Sequence, residues 1–513
     1  MFKRSSFFTA SIVGLALLAL SVTPNAPAIA QTNSNWPAWE VPVRLSNEGQ
    51  SSWFPDIAAD PSGEVHIVWS SGITTGPGQA YDVVMYTKSM DGKLWTTPRD
   101  IAALETKGAV TRPSILIDPL GVFHITYRRY MIYYAHAPVQ AIGPQTLSAP
   151  YEVSTEENGY FSKVFRDNAG RLHLLHTEDV FNPNCTGCFQ AFHRSSDDDG
   201  LTWSVPDNIW PLPIGVAKPA VAVDAQNGLH VMFEVGRGGD LGQVPEPASI
   251  AYLHSLDGGL TWTQPLFMSP QSGGFSARNP AIAVDANQNL IAVWQVAMNE
   301  EDVVNYQVST DRGETWSEPQ QIPGVWGAWS VYNGKTDTYD MITDAQGRVY
   351  LVLSGRRSPN EQTLNLLLLI WENGVWSAPQ PVMTLEGDVP EWPQLAIGLG
   401  NRLHLVWFQR EKANIFNSDR GQYEIWYAQA TLNAPAVEPV PWPTLPAQVV
   451  SVSTPTPAGF KATATPQPLL FTNQAEPQTF YKENDYLLIA LFSILPVALL
   501  VSGVVAYTRW RRQ

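Results

Sequence analysis

The fold class that the sequence predicts is all-β: a seven-bladed β-propeller of four-stranded blades, closed by its N-terminal strand and followed by one C-terminal transmembrane helix. Three observations predict it. A turn phrase, Ser-x-Asp-x-Gly-x-Thr-Trp, returns at Ser196–Trp203, Ser255–Trp262 and Ser309–Trp316, with a shortened copy at Ser89–Trp95. A second phrase, Trp-x-x-Pro leading to an apolar residue, occurs at Trp39, Trp95, Trp203, Trp262, Trp316 and Trp376, and Leu147 opens a seventh copy. A third phrase, with an Asp-containing turn and an aromatic end, opens at Pro55, Pro113, Ser162, Pro219, Pro280, Tyr339 and Pro393. Its starts recur every ~50–60 residues, near the period of propeller blades.

Each element follows from these phrases and from the two ends. Lys3 and Arg4, the apolar run Phe7–Leu20 and Ala28-Ile29-Ala30 read as a secretory signal peptide over residues 1–30. The propeller is expected over residues 31–432. In each unit the third phrase gives strand one. A hairpin turn follows at Asp60, Asp118, Asp167, Asp224, Asp285 or Asp344, with Gly398 in the seventh unit. Strand two carries an alternating run such as Val65-His66-Ile67-Val68-Trp69, and strand three ends on an aromatic residue. In the turn before strand four, Asp bonds backbone N–H groups, Gly takes a positive φ and Trp buries its ring. Trp39–Leu45 is a fourth strand that precedes any first strand, whereas the last unit has three. The N-terminal strand is therefore expected to close the ring and remove a free edge; Leu432–Pro435 is the competing candidate for the last fourth strand. Residues 433–481, with Thr454-Pro455-Thr456-Pro457, read as a Pro/Thr-rich linker. Residues 486–508 are long and apolar enough for a membrane helix, and the basic tail 509–513 is expected to be cytoplasmic. That places the propeller outside the cytoplasm at the cell membrane.

A net charge of −16 argues against nucleic acid as a partner. The repeat also separates frame from function. His66, His124, His173, His230 and His404 share one position in five units, so they read as frame rather than metal ligands, and no metal or cofactor is expected. Cys185 and Cys188 are the only cysteines and are expected to form a local disulfide; zinc with His176 and His193 is the less favoured alternative. The positions that vary from unit to unit lie around the strand-one start and in the loops after strand two. They give the candidate ligand-binding residues Trp53, Asp56, Arg112, Tyr160, Lys163, Lys218, Glu234, Arg278, Asp340, Arg356, Glu391 and Trp392. Aromatics, carboxylates and arginines at one channel mouth suit a sugar bearing an acidic group, because Arg pairs bidentately with carboxylate.

The turn motif at Ser196–Trp203, Ser255–Trp262 and Ser309–Trp316 resembles the Asp-box, or bacterial neuraminidase repeat, of the sialidase superfamily, over about residues 36–432. The resemblance implies a propeller that acts on or binds glycans. Sialidases have six blades, an Arg-Ile-Pro phrase, three arginines around the substrate carboxylate, a Tyr nucleophile with a Glu partner and an Asp acid/base. Here Trp53-Phe54-Pro55 stands where Arg-Ile-Pro would be, Arg278-Asn279-Pro280 fits that phrase better, and Arg112-Pro113 fits it loosely. Arg112, Arg278 and Arg356 are the implied arginine cluster, and Tyr332 or Tyr339 the implied nucleophile. Three functional readings follow: a surface module that binds extracellular glycans or related ligands, an exo-acting glycoside hydrolase of the sialidase type, and an envelope scaffold. The partners expected are a glycan or glycoconjugate and the membrane.

Overall fold

The computed structural model describes residues 36–442 apart from 49, 77–78, 104–111, 156–157, 181–186, 237–248, 270–275, 298–301, 329–336, 385–387 and 412–422. Met1–Leu445 form one compact unit. Pro446–Gln513 form a second, which lies outside the described residues, as does the candidate signal peptide.

The described chain is a β-propeller. Its first four sheets each take four antiparallel strands in chain order. They begin at Ser52–Ala59, Ser114–Ile117, Gly159–Arg166 and Gly215–Val223. The last sheet holds Asp388–Gly398, Arg402–Glu411, Tyr423–Thr431 and the N-terminal strand Val43–Arg44. Val43 pairs with Tyr427 and Arg44 with Trp426, so the N-terminal strand takes the place open to Leu432–Pro435.

The expectation of seven separate four-stranded blades with a transmembrane helix is corrected. Among the described residues five sheets are four-stranded blades, and the fifth and sixth repeat units form one nine-stranded sheet. The strand Gln320–Gly327 is eight residues long, where the fourth strands of three other sheets have two. Its end pairs onward, Trp326 with Arg356 and Gly327 with Gly355. Two glycines permit this approach: a Cβ on Gly355 would meet the Trp326 carbonyl, and one on Gly327 would meet Gln295 and Tyr339. The 3-10 turn Val139–Ala141 is the one helical element among the described residues. None of their helices is long and apolar enough to cross a membrane; residues 486–508 lie outside them.

The repeated turn forms as its chemistry dictates. Asp257 Oδ1 accepts the N–H groups of Leu260 (3.0 Å) and Thr261 (2.9 Å), and Oδ2 accepts the Thr261 hydroxyl (2.6 Å). The Ser255 hydroxyl donates to Asp257 (2.8 Å) and accepts from Gly259 N–H (2.8 Å). The turn also locks neighbouring sheets together. A Cβ on Gly200 would strike the Tyr134 hydroxyl, and one on Gly313 that of Tyr252. Trp203 and Trp316 meet the same tyrosine rings edge-on, with centroids at 4.9 and 5.0 Å. The strand-two histidines complete the lock. His124 and His230 each bond a tyrosine hydroxyl at 2.7 Å, and His230 reaches the turn Asp224 at 3.2 Å.

Candidate functional site

In five of the seven units the residue just before the unit start has an unusual backbone. Phe54, Arg112, Lys218, Asn279 and Trp392 have φ of 52°, 38°, 48°, 55° and 55°. Four of these five precede Pro at a register shift, between Trp53 and Asp56, Ala217 and Ala220, Arg278 and Ala281, and Glu391 and Gln394. A bulge re-aims a side chain that a regular strand would place across the sheet. Left-handed backbone costs a non-glycine residue roughly 1 kcal/mol, and such strain persists where the surrounding fold imposes it.

Three of these five residues, Arg112, Lys218 and Trp392, line one cavity of about 110 Å³. Residues from every sheet line it, among them Asp56, Arg112, Phe161, Lys163, Lys218, Asp340 and Trp392, so it lies on the propeller axis. Phe54 meets Trp392 edge-on at 4.8 Å, and Phe161 stacks parallel to Trp392 across the axis at 6.2 Å. The Arg112 guanidinium rests 4.5 Å from the Phe54 ring, 4.2 Å from Tyr160 and 5.2 Å from Phe161. Its Nη2 donates to the Tyr160 hydroxyl at 3.1 Å, while Nε and Nη1 are buried without a hydrogen-bond partner among the described residues. Arg128 covers another side of Tyr160 at 4.4 Å.

One residue further along each unit, Asp56 and Asp340 join neighbouring strands. Asp56 Oδ2 accepts Ile115 N–H at 2.8 Å, and Asp340 Oδ2 accepts Leu395 N–H at 2.7 Å. Lys163 Nζ lies 3.8 Å from Asp56. Burial pushes the Asp340 carboxyl up to about 6, against the pull of Lys163.

Other sequence candidates are tied into buried pairs. Lys218 donates to Asn279 Oδ1 at 3.1 Å and pairs with Glu234 at 3.3 Å. Glu391 pairs with Arg410 through two contacts of 2.8 and 2.9 Å. Arg356 pairs with Asp302 at 3.1 Å and donates to the carbonyls of Gly327 and Pro359. Arg278 is half-buried opposite Gln295 and does not line the cavity; Trp53 packs on Tyr423 at 5.3 Å. The implied cluster of Arg112, Arg278 and Arg356 therefore does not gather at this cavity. Tyr339 does line it, but burial holds its phenol protonated, the opposite of what a nucleophile needs. Tyr332 lies outside the described residues.

Asp337 was not among the sequence candidates. It is fully buried, one oxygen accepts Trp392 N–H at 3.4 Å, and the other has no partner among the described residues. Burial, reinforced by the Glu391 charge, pushes its carboxyl up to about 8. It stands two residues before a unit start, as Trp53, Tyr160, Arg278 and Glu391 do, so the repeat frame could have found it. Phe161 and Asn279 are reachable the same way, one residue before the start. Cys188 is disulfide-bonded, and its expected partner Cys185 lies outside the described residues. Asp60, Glu64 and His66 have the spacing to hold a metal ion, but Asp60 already accepts from Trp442 and Glu64 pairs with Lys88.

Residues 162–405 match the BNR repeat-like domain family. No curated protein matches the sequence. Among solved structures, a protein of unknown function from Dyadobacter fermentans is similar at 16% identity and TM-score 0.48, over 77% of this chain and 99% of that one. An ulvan lyase, described as a new family of polysaccharide lyase and bound to -[GlcA(1-4)Rha3S]-, is similar at 10% identity and TM-score 0.50, over 74% and 94%. The NanB sialidase of Streptococcus pneumoniae is similar at 12% identity and TM-score 0.44, over 77% and 71%. At such identities the likeness is one of fold.

Proposed function

Because the chain carries a sialidase-like BNR-repeat β-propeller, we propose that it is a carbohydrate-recognising protein whose axial cavity takes a sugar with an acidic group. The observation that carries this reading is Arg112. Three aromatic rings hold its guanidinium, and two of its nitrogens, Nε and Nη1, are buried beside the cavity without partners among the described residues. A buried unsatisfied donor costs about 1–3 kcal/mol, which oxygens of a ligand's acidic group would recover by accepting from it. The bound group would meet aromatic faces at Trp392 and Phe161. Work outside the cytoplasm fits the disulfide at Cys188, since such bonds persist in oxidising compartments.

The test is binding of the full-length protein to an array of acidic and neutral glycans. Acidic glycans are expected to bind, and Arg112→Lys, which keeps charge but loses the planar fork, is expected to weaken binding at least tenfold. Equal binding of neutral glycans, or an unchanged Arg112→Lys variant, would sink the reading.

A second reading, glycoside hydrolysis, is favoured by Asp337, a carboxyl held protonated near neutral pH as a general acid requires. Incubation with fluorogenic glycosides decides between the two. Release abolished by Asp337→Asn would make the protein an enzyme; no release from any sugar leaves recognition without turnover.

A further inference from the structure

We propose that the ligand site continues past the axial cavity into an outer subsite formed by Arg128 and Tyr130, so that the ligand is a chain of sugars with at least two acidic groups rather than one acidic sugar. This rests on the acidic-ligand reading above and deepens it. Two arginines share one ring. The Arg112 guanidinium lies 4.2 Å and that of Arg128 4.4 Å from the Tyr160 centroid, so less than about 9 Å separates them. Arg112 lines the cavity; Arg128 stands outside that lining, next to it across Tyr160. Arg128 is held in place. It ends the strand Val122–Arg128, is half-buried, and its Nε donates to the Gly159 carbonyl at 2.7 Å. Arg112 in turn donates to the Tyr160 hydroxyl, so both arginines are fixed to one residue pair at the start of the strand Gly159–Arg166.

A guanidinium stays charged at any working pH. The screening length in physiological salt is about 8 Å, so two such charges at this separation repel, and an acidic group bound at each offsets the repulsion. The grouping is local. Arg129 follows in the same turn, whereas the whole chain has a net charge of −16. Tyr130 supplies a surface for the second sugar. It is 50% exposed, in the turn between Val122–Arg128 and Ile132–Pro138. Its carbonyl accepts Asn158 N–H, and Arg129 N–H donates to the Met131 carbonyl, both at 2.9 Å. The turn is thus tied to the segment that leads into Tyr160. A phenol ring on a fixed backbone loses little freedom when a sugar face covers it. Inside the cavity, Trp392 and Phe161 offer such a face to the first sugar. An arginine with an aromatic face therefore occurs twice, once in the cavity and once outside it, with Tyr160 between.

The experiment measures binding of galacturonate, digalacturonate and trigalacturonate to the full-length protein by calorimetry. Wild-type affinity should rise at least about tenfold from the monomer to the better oligomer, more than the number of acidic groups gives statistically. Arg128→Gln and Tyr130→Ala should each cut that gain to about threefold or less. A residue that merely supports Tyr160 would instead lower all three affinities alike and leave the gain intact. Arg112→Lys should weaken all three sugars together. Tyr130 is exposed, so its variant keeps the test open even where Arg128→Gln fails to fold. Equal wild-type affinity for the monomer and both oligomers, or a gain that survives both variants, overturns the outer subsite but leaves acidic-ligand recognition standing. Failure of all three sugars to bind overturns both.

Discussion

Asp337 shows how one buried group sets a pH dependence for the whole domain. Its carboxyl is raised from the ordinary carboxylate range to about 8 because burial and the nearby Glu391 charge disfavour ionisation. Between roughly pH 4 and 8 the folded state keeps a proton that the unfolded chain releases, so stability falls as pH rises through that window. Asp340, raised to about 6, adds to the decline only below pH 6. Urea unfolding of wild type should therefore lose stability between pH 6 and 8, by at most about 1.4 kcal/mol per unit from this one group. In Asp337→Asn that part of the slope should vanish; an identical slope in the variant would mean that Asp337 is ionised throughout. The Arg356–Asp302 pair shows the opposite use of burial. Two charges are spent on each other and on backbone carbonyls, which takes Arg356 out of any ligand site.

At the scale of the element, the Asp-box turn does two tasks with one glycine. Gly313 has φ of 91° and packs so closely on Tyr252 that a Cβ there would strike its hydroxyl. Gly374, in a simple hairpin, has φ of 81° and no atom within 4 Å of a Cβ position. Both positions penalise Ala for backbone reasons, by about 1 kcal/mol. Gly313→Ala should cost at least ~1 kcal/mol more, because Tyr252 must also leave His230. Thermal melts of the two variants measure this difference directly. Equal losses would show that the turn does not press on its neighbour. The strand-two histidines repeat one frame contact: Nδ1 of His66, His124, His230 and His404 each meets a tyrosine hydroxyl at 2.7–2.8 Å, and that of His173 meets His193 at 3.0 Å.

At the scale of the molecule, two ends of the described chain secure the ring. The N-terminal strand pairs with the last sheet, and after Thr431 the chain continues across the turn end of the propeller. Val437 N–H donates to Leu399 O and Val440 N–H to Pro61 O, both at 2.8 Å. Trp442 then packs against Gly121 in the second sheet and donates to Asp60 at 2.7 Å. This strap spans the junction that the N-terminal strand closes. Trp442→Ala should destabilise the full-length protein by about 1–3 kcal/mol, since it removes a half-buried ring and leaves Asp60 with one donor fewer. A melting temperature within error of wild type would show that the strap is a passive covering.

The sequence by itself determined the repeat unit, its strand order, the Asp-box turns, the framework histidines and closure by the N-terminal strand. These are local or periodic features: turn chemistry acts within a few residues, and a repeat prints the same contact many times. Even the cavity was partly legible, because its layers fall at fixed offsets from each unit start. Only the tertiary structure decided which polar residues stay available to a ligand. Arg112 and Arg356 look alike in sequence, yet one rests among aromatic rings with donors to spare and the other is consumed by Asp302, a residue 54 positions away. The merging of two units into a nine-stranded sheet was likewise invisible, since it depends on Gly327 meeting Gly355 across space. The charge state of Asp337 depends on burial under neighbours from other sheets, and burial is a property of the assembled ring.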